Sequence, residues 1–309
     1  MKLFIIILQI VFVPALSPLC IGIVRKIKAR LQNRQGADIL QPYRDLVKFF
    51  HKDEVISNDA SWIFRLAPFL LFTLTLLLPI GVPIFGSFSG AESLSDFLIV
   101  VYILIFIAFI ISLAGMDAGG PFGGFGASRE MTLASLAEGA MIISLLVPTL
   151  MAGTTKLTGM VVYFEKFSYE EFLPLTVAFV AFFIAFLCKT ARYPFDNPAT
   201  HLELTMVHEA MILEYSGKRL ALIEWSSANM LLGLLILGVN IFFPWGMPHE
   251  ITAWSLAFGF FLVALKIFFA LTLVGIIEST IPKLRYFRLA DLLLTSLVIG
   301  LIALTFVII

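Results

Sequence analysis

The chain has 309 residues, of which 60% are hydrophobic and 14% are charged, and its formal net charge is zero. Its mean hydropathy is +1.00, whereas a soluble domain of this size carries a much larger charged fraction. This composition excludes an ordinary soluble enzyme, and the balanced charge predicts no nucleic-acid partner.

Apolar runs long enough to cross a bilayer recur along the whole chain, since a membrane-spanning helix needs about 20 such residues. They predict an all-α, polytopic membrane protein that forms a single integral membrane domain over residues 1–309. About eight transmembrane helices are predicted, at residues 3–24, 66–86, 95–115, 129–153, 172–190, 221–245, 252–278 and 289–309.

The distribution of positive charge predicts that the N-terminus lies outside. The cytoplasmic loops are then residues 25–65, 116–128, 191–220 and 279–288. All but four of the 21 lysine and arginine residues lie in or beside these loops. The four exceptions are Lys2, Lys156 and Lys166 on the outer side and Lys266 within a span. Because positive residues are enriched in cytoplasmic loops, the asymmetry supports both this orientation and the even number of helices.

An amphipathic helix is predicted in the first loop, near residues 39–52. Its apolar residues recur at three- and four-residue spacing, at Leu40, Tyr43, Leu46, Val47 and Phe50. Pro42 suits the first turn of such a helix. The helix would lie in the headgroup plane with its apolar face toward the membrane, or pack on a partner protein.

The glycine-rich run at residues 119–126, GGPFGGFG, lacks the spacing of a phosphate-binding loop. Clustered glycines with Pro121 instead predict a tight turn between the third and fourth helices, with a close backbone approach at the start of the fourth helix as the second possibility. Ser128 is predicted to be the N-cap of that helix, and Glu130 lies in its first turn, where the helix dipole favours an acid.

The residues give no support to a metal centre or a nucleophile in this chain. Cys20 and Cys188 lie far apart in apolar runs without CxxC spacing. The HExxH pattern is absent, because the residue four positions after His208 is Ile212. No serine or cysteine stands in a nucleophile elbow, so no catalytic residue is predicted.

The densest group of ionisable residues lies in residues 190–220, between two apolar runs. Its acids and histidines are Asp196, His201, Glu203, His208, Glu209 and Glu214. Such groups beside a membrane are costly unless they meet water, a partner or one another. If residues 197–215 form one helix, Glu203 and Glu214 share a face and the two histidines share another. Acid and imidazole on adjacent faces can pass protons, which predicts a proton site at the membrane edge.

A second group of charges lies inside the predicted helices. Glu138 is two turns inside an apolar helix, where an acid costs about 2.5–3.5 kcal/mol on insertion scales. It accompanies Glu224 and Lys266, so a proton path is favoured over a structural hydrogen bond between helices. Lys266 either neutralises an acid or titrates itself. Solvated or capping acids are expected at the helix ends, at Asp96, Glu278 and Asp291.

Six segments together carry a resemblance to a known family. They are ARLQNRQGADILQPYRDLVKFFHKDEV (29–55), FRLAP (64–68), GMDAGGPFGGFGASRE (115–130), LAEGAM (136–141), ARYPFD (191–196) and LEYSG (213–217). In this order, on eight helices, they resemble the complex I subunit 1 family, the membrane subunit shared by respiratory complex I and membrane-bound group 4 nickel–iron hydrogenases. GASRE and LEYSG are more similar to the formate hydrogenlyase and hydrogenase-4 branch. The chain departs from the family's pattern at Gly36-Ala37 and in the longer spacing after PFD.

The resemblance implies a membrane anchor without its own redox centre, belonging to an oxidoreductase complex of the cell inner membrane. Nickel–iron and iron–sulfur centres are then expected in hydrogenase-like large and small subunits and an iron–sulfur subunit, with antiporter-like membrane subunits alongside. A proton relay through Asp196 toward Glu138 is also implied. The candidate carriers are Glu130, Glu138, Asp196, Glu203, Glu209 and Glu214, with His201, His208, Glu224 and Lys266 as modulators.

The same resemblance implies that the first loop and the connection after the fifth helix dock the peripheral arm. The candidates for docking or for quinone access are Arg30, Gln32, Arg34, Asp45, Lys48, Arg129 and Arg192. Two alternatives stay open. The chain could enclose a quinone cavity with the helix near residues 39–52 at its mouth. It could also be a stand-alone ion transporter, which would predict an internal repeat with broken helices, and the sequence shows none.

Overall fold

The computed structural model describes residues 2–84, 95–164, 172–197, 205–246 and 253–308. Within those ranges the chain forms eleven α-helices. They are α1 (Lys2–Leu31), α2 (Gln41–Phe50), α3 (Trp62–Gly81), α4 (Phe97–Asp117), α5 (Pro121–Ala152), α6 (Leu157–Phe164), α7 (Phe172–Lys189), α8 (His208–Ile212), α9 (Gly217–Phe242), α10 (Ala253–Thr280) and α11 (Tyr286–Ile308).

Eight of these helices, namely α1, α3, α4, α5, α7, α9, α10 and α11, are long and apolar enough to cross a membrane. The predicted class, an all-α multi-pass membrane protein with eight spans, is confirmed. The placement of the N-terminus outside stays a prediction.

The start of α5 differs from the sequence expectation. The helix begins at Pro121, so most of the glycine-rich run is helical and Ser128 lies inside the helix. The tight turn is therefore confined to residues 118–120, where Gly119 has a φ angle of 70°. The predicted N-cap is wrong, and Glu130 lies well inside the helix and not in its first turn. A Cβ atom on Gly123 would lie 2.1 Å from the carbonyl oxygen of Gly115 on α4. The glycines thus allow α4 and α5 to touch backbone to backbone, a use that sequence spacing does not distinguish from a turn.

Two central helices organise the bundle. α5 packs against α4, α7, α8 and α11, and α9 packs against α1, α2, α3 and α10. α7 contacts both central helices. All residues of α9 from Ala228 to Phe242 are buried. Polar groups on the inward faces of α7 and α9 therefore lie inside protein and not in lipid.

Neutral polar side chains tie α9 to its neighbours. The Ser17 hydroxyl on α1 donates to Oδ1 of Asn229 at 2.7 Å. Nδ2 of Asn240 donates to the carbonyl oxygen of Pro83, just after α3, at 2.7 Å. Because apolar packing alone gives little drive for helix association in lipid, such bonds help to fix which helices meet.

The amphipathic helix predicted in the first loop is present as α2. The Tyr43 hydroxyl on α2 donates to the carbonyl oxygen of Ala15 on α1. The ring of Phe50 meets that of Trp225 on α9 edge to face, with 6.3 Å between centroids. α2 therefore packs against two helices of its own chain.

The contact between α4 and α5 can be tested with two neighbouring glycines. Gly123→Ala places a methyl group against the α4 backbone and should destabilise the bundle by about 1–3 kcal/mol, as overpacking does. Gly124→Ala is the matched control, because a Cβ there meets nothing within 4 Å, and it should be neutral or stabilise by roughly 0.5–1 kcal/mol. Heating the purified protein in detergent and measuring the folded fraction separates the two variants. Equal midpoints for both would contradict the close backbone contact.

Candidate functional site

A sharp turn after α7 carries three charged side chains into the protein. Ala191 has a φ angle of 50°, and the Arg192 amide donates to the carbonyl oxygen of Leu187 at 2.9 Å. Lys189, Arg192 and Asp196 are only 7%, 7% and 4% exposed. We call residues 189–196 the charged turn. Charges buried this deeply persist only with partners.

The carboxylate of Asp196 accepts four hydrogen bonds. Its Oδ1 accepts from the Asn197 amide at 2.8 Å and from Nζ of Lys283 at 2.6 Å. Its Oδ2 accepts from the amides of Val207 and His208 at 3.2 and 3.0 Å. Charge-assisted bonds of this kind are strong, so this carboxylate anchors the start of α8 to the charged turn.

Glu278, in the last turn of α10, closes a second set of ion pairs. Its carboxylate lies 3.1 Å from Nη1 of Arg192 and 3.4 Å from Nζ of Lys28, and its side chain is 3% exposed. The expectation of a solvated or capping acid here is wrong. Lys28 also lies over the ring of Tyr193, 4.6 Å from its centroid. Burial, with the charges of Glu278 and Asp196, raises the pKa of Tyr193.

The other helix-end acids differ from Glu278. Asp96 caps α4, with its side chain accepting from the Leu98 amide, so the capping expectation is confirmed there. Asp291 is exposed on α11. A position at a helix end therefore does not predict whether an acid is exposed, because another part of the chain can pack over it.

Glu138 is paired within the bundle. Its Oε1 lies 2.7 Å from Nζ of Lys189, and the two side chains are 15% and 2% exposed. Nζ of Lys189 also donates to the carbonyl oxygen of Leu104 on α4 at 3.3 Å. On its outer side Glu138 lines an otherwise largely apolar groove of about 590 Å³ on α4 and α5, beside Tyr102 and Phe106. In the sequence, Lys189 is only one of many positive charges beside cytoplasmic loops, so its pairing is not foreseen.

Lys189 also borders a small internal cavity of about 40 Å³. Glu130 on α5 and His208 on α8 line the same cavity, and Thr190 and Ser226 add hydroxyl groups. A polar cavity of this volume has room for water. Glu130, Lys189 and His208 therefore share a water-sized space that the sequence did not reveal.

A larger cavity of about 680 Å³ lies between α1, α2, α9 and the charged turn. Four of the candidates for docking or quinone access line it, namely Gln32, Arg34, Asp45 and Arg192. Four of the relay candidates line it as well, namely Asp196, His208, Glu209 and Glu224. The structure thus brings the two predicted groups together in one space.

Other docking candidates lie elsewhere. Arg30 and Lys48 are exposed at the surface and do not border this cavity. Nη1 of Arg129 donates to the carbonyl oxygen of Met206 at 3.2 Å, which ties α5 to the segment before α8.

Two relay candidates also lie apart from the cavities. Glu214 is exposed and sits beside Gly120, where a Cβ atom would be 3.1 Å from its Oε1. Nζ of Lys266 donates to the carbonyl oxygen of Phe243 at 2.7 Å, at the end of α9. The structure therefore places Lys266 as a cap of α9.

The segment around α8 is not one long helix. Residues 205–207 are irregular and α8 covers only His208–Ile212, so the shared faces that assume one helix over residues 197–215 are wrong. His201 and Glu203 lie outside the described residues.

Four of the sequence motifs meet at the base of α3. The Tyr215 hydroxyl donates to the carbonyl oxygen of Phe64 at 3.0 Å, and the two rings stack with 3.9 Å between centroids. Burial raises the pKa of Tyr215. Oγ of Ser216 accepts from the Val55 amide at 2.8 Å, and Asp117 accepts from the Phe64 amide at 3.1 Å. These contacts fix the end of the first loop and the start of α3 against the segment after α8 and the end of α4.

No group of three or more histidine, cysteine, aspartate or glutamate residues could hold a metal ion within the part of the chain that the structure describes.

Comparison with known proteins identifies the family. Residues 2–309 match the family described as NADH dehydrogenase. The chain belongs to this family. The predicted resemblance to the complex I subunit 1 family is therefore confirmed.

Among its relatives, hydrogenase-4 component C of Escherichia coli is 34% identical, over 90% of this chain and 87% of that protein. Formate hydrogenlyase subunit 4 of the same organism is 29% identical, over 88% of this chain and 87% of that protein. A subunit of the NADH-quinone oxidoreductase of Pelagibacter ubique is 29% identical, over 87% of this chain and 82% of that protein.

A solved structure of the membrane-bound sulfane sulfur reductase, an archaeal respiratory membrane complex, contains a chain with the same fold. Its TM-score is 0.84 at 23% identity, and the match covers 98% of both chains.

Glu278 offers a direct test of the buried ion pairs. Glu278→Leu leaves Arg192 buried without its anion and should cost about 3–5 kcal/mol of stability. Adding Arg192→Met should restore much of that loss, because an apolar pair replaces the ionic one while Lys28 can turn toward solvent. Unfolding midpoints of the single and double variants in detergent measure the coupling. Asp291→Asn, at an exposed acid, is the control and should change little. Additive losses in the double variant would rule out the proposed pairing.

Proposed function

We propose that the chain is the membrane-anchor, proton-path subunit of a hydrogenase-4/formate hydrogenlyase-like or complex I-like assembly. It would dock the peripheral redox arm and couple electron transfer to proton or ion translocation. The partners are hydrogenase-like large and small subunits, an iron–sulfur subunit and antiporter-like membrane subunits. The nickel–iron and iron–sulfur centres lie in those partners. The names of the relatives support this assignment, since each is a component or subunit of a larger enzyme.

One observation carries the proposal. The two cavities, the buried Lys189–Glu138 pair and the outer groove are linked by the residues that they share. His208 lines both the large and the small cavity. Lys189 lines the small cavity and pairs with Glu138, which borders the outer groove. Imidazole, carboxylate and trapped water are the groups from which proton paths are built. These shared residues support a proton path that runs from the charged turn to the groove.

The anchoring residues and the carrying residues differ in their bonding. Asp196 has four donors, so we assign it to fixing the charged turn. Glu138 has one cation and an open side toward the groove, so we assign it to carrying protons, with Glu130, Glu209 and Glu224 supplying the path from the cytoplasmic side. The exposed Arg30 and Lys48, together with other basic residues of the first loop, would face the peripheral arm.

A quinone-binding subunit of a complex I-like quinone oxidoreductase is the second candidate, and the large cavity favours it. Its volume of about 680 Å³ lies in the range of small-molecule sites. α2 forms one wall, and Ile21 and Phe49 give an apolar surface beside Arg25. A quinone with an isoprenoid tail could enter from the membrane past α2. No observation favours a stand-alone transporter.

Gentle detergent extraction of the tagged chain, with mass spectrometry of what co-purifies, tests the anchor assignment. We expect a nickel–iron large subunit, an iron–sulfur subunit and antiporter-like subunits. The lipid extract of the same preparation tests the second candidate, since about one quinone per chain would support it. Recovery of the folded chain alone would overturn both assignments and favour transport by the chain itself.

Glu138→Gln tests the proton path. The variant keeps the volume and a hydrogen-bonding oxygen at this position but has no titratable group. Assembly should be preserved, while proton movement coupled to turnover of the complex should be largely lost. Sealed vesicles with a pH-sensitive dye report the proton movement. Thr132→Ala, at an exposed residue of the same helix, is the control. Unchanged proton movement in Glu138→Gln would remove Glu138 from the path.

A further inference from the structure

We propose that Lys189 is a two-position switch whose ammonium group alternates between the carboxylates of Glu138 and Glu130. This rests on the proposed proton path and specifies how its central step works. The structure shows one of the two positions, with the ammonium on Glu138.

The geometry places Lys189 between the two acids. Glu130 and Glu138 are eight residues apart on α5, which is about 12 Å along a helix. Lys189 approaches from α7, with Nζ 2.7 Å from Glu138, and borders the same small cavity as Glu130. A lysine has a flexible four-carbon stem that carries a compact charge, so the ammonium can rotate away from Glu138 into the cavity that Glu130 lines.

Charge balance explains why the two positions exclude each other. A buried ammonium group must stay paired, because an isolated charge in a bundle is far more costly than a pair. When Glu138 takes up a proton, its attraction for Lys189 is lost. The ammonium then turns to Glu130, which releases its own proton to the water-sized cavity. One proton enters, one leaves, and the net charge of the three groups is zero in both states.

Two cationic groups and two acids surround Glu130. The charges that act on its carboxyl are those of His208 on α8, Lys189 on α7, Asp196 in the charged turn and Glu138 on its own helix. Asp196 is already held by Lys283 at 2.6 Å and by three amides. His208 is tied to Asp196 through its backbone amide, whereas Lys189 pairs with Glu138 and borders the cavity of Glu130. Lys189 is therefore the cation that contacts one glutamate and can reach toward the other.

Carbodiimide labelling of the assembled complex in native membranes tests the switch. Dicyclohexylcarbodiimide reacts with protonated carboxyl groups in apolar surroundings, and peptide mass spectrometry locates the modified residue. At neutral pH the wild type should be labelled at Glu130 and protected at Glu138. Glu138→Gln should protect Glu130, lowering its labelling about tenfold or more, the effect of an opposite charge brought beside a carboxyl.

Two further variants complete the comparison. Glu130→Gln should leave Glu138 protected, and Lys189→Met should expose both acids to the reagent. Lys156→Met removes an exposed lysine beyond α5 and should change neither site. His208 is present in every variant, so its charge does not alter the comparison.

Unchanged labelling of Glu130 in Glu138→Gln would overturn the switch and leave Lys189 as a fixed partner of Glu138. Protection of both acids in the wild type would overturn it as well. If Lys189→Met fails to accumulate in membranes, the wild type and Glu138→Gln still decide the question. The labelling needs no turnover, so this proposal can fail while the complex still pumps, and it can hold in a complex that does not pump.

Discussion

The structure depends on the pairing of the charges that the charged turn carries into the bundle. Moving an ion out of water costs several kcal/mol, and only a close counter-ion with further hydrogen bonds repays it. Each of the three buried charges of the charged turn forms an ion pair. The pairs are Lys189–Glu138, Arg192–Glu278 and Lys283–Asp196. Together they join the end of α7 to α5, to α10 and to the loop before α11, so electrostatics and packing fix the same arrangement of helices.

The position of the cavities follows from those pairs. The charged turn cannot continue α7 as a helix, and its bend leaves space on both sides. On one side the large cavity reaches α1 and α2, and on the other the small cavity reaches α5. α8, tied to Asp196 through its first amides, stands between the two and carries His208 into both. The bonds to Asp196 fix the position of His208 although α8 has only five residues.

The acids of this site differ more in their surroundings than in their chemistry. Asp196 has four donors and is part of the framework. Glu278 has two cations and is equally confined. Glu138 has one cation and a face on an apolar groove, so protonating it disrupts a single bond. The arrangement thus separates acids with several partners, which fix the fold, from an acid with a single partner. A chain of 23% identity shares the fold over 98% of its length, because many sequences can maintain eight apolar helices of similar length, whereas individual residues set the polar contacts inside.

The eight spans, α2 and the region of the site could all be predicted from the chain before any packing was known. Span length, hydropathy and three- to four-residue spacing are local properties, so the sequence displays them directly. Asp196, His208 and Glu209 belong to the segment that is dense in ionisable residues, and the structure places them on one cavity together with Glu224. The partners of the buried charges became visible only in the folded bundle. Lys189 and Glu138 are 51 residues apart and Arg192 and Glu278 are 86 apart, and no local pattern records which helices will touch. The start of α5 was missed for the same reason, since the first two glycines of GGPFGGFG form the turn while Gly123, inside the helix, serves a contact with α4. Pairing energy acts through space, so the charges that matter most to this bundle are recognisable only once the helices are packed.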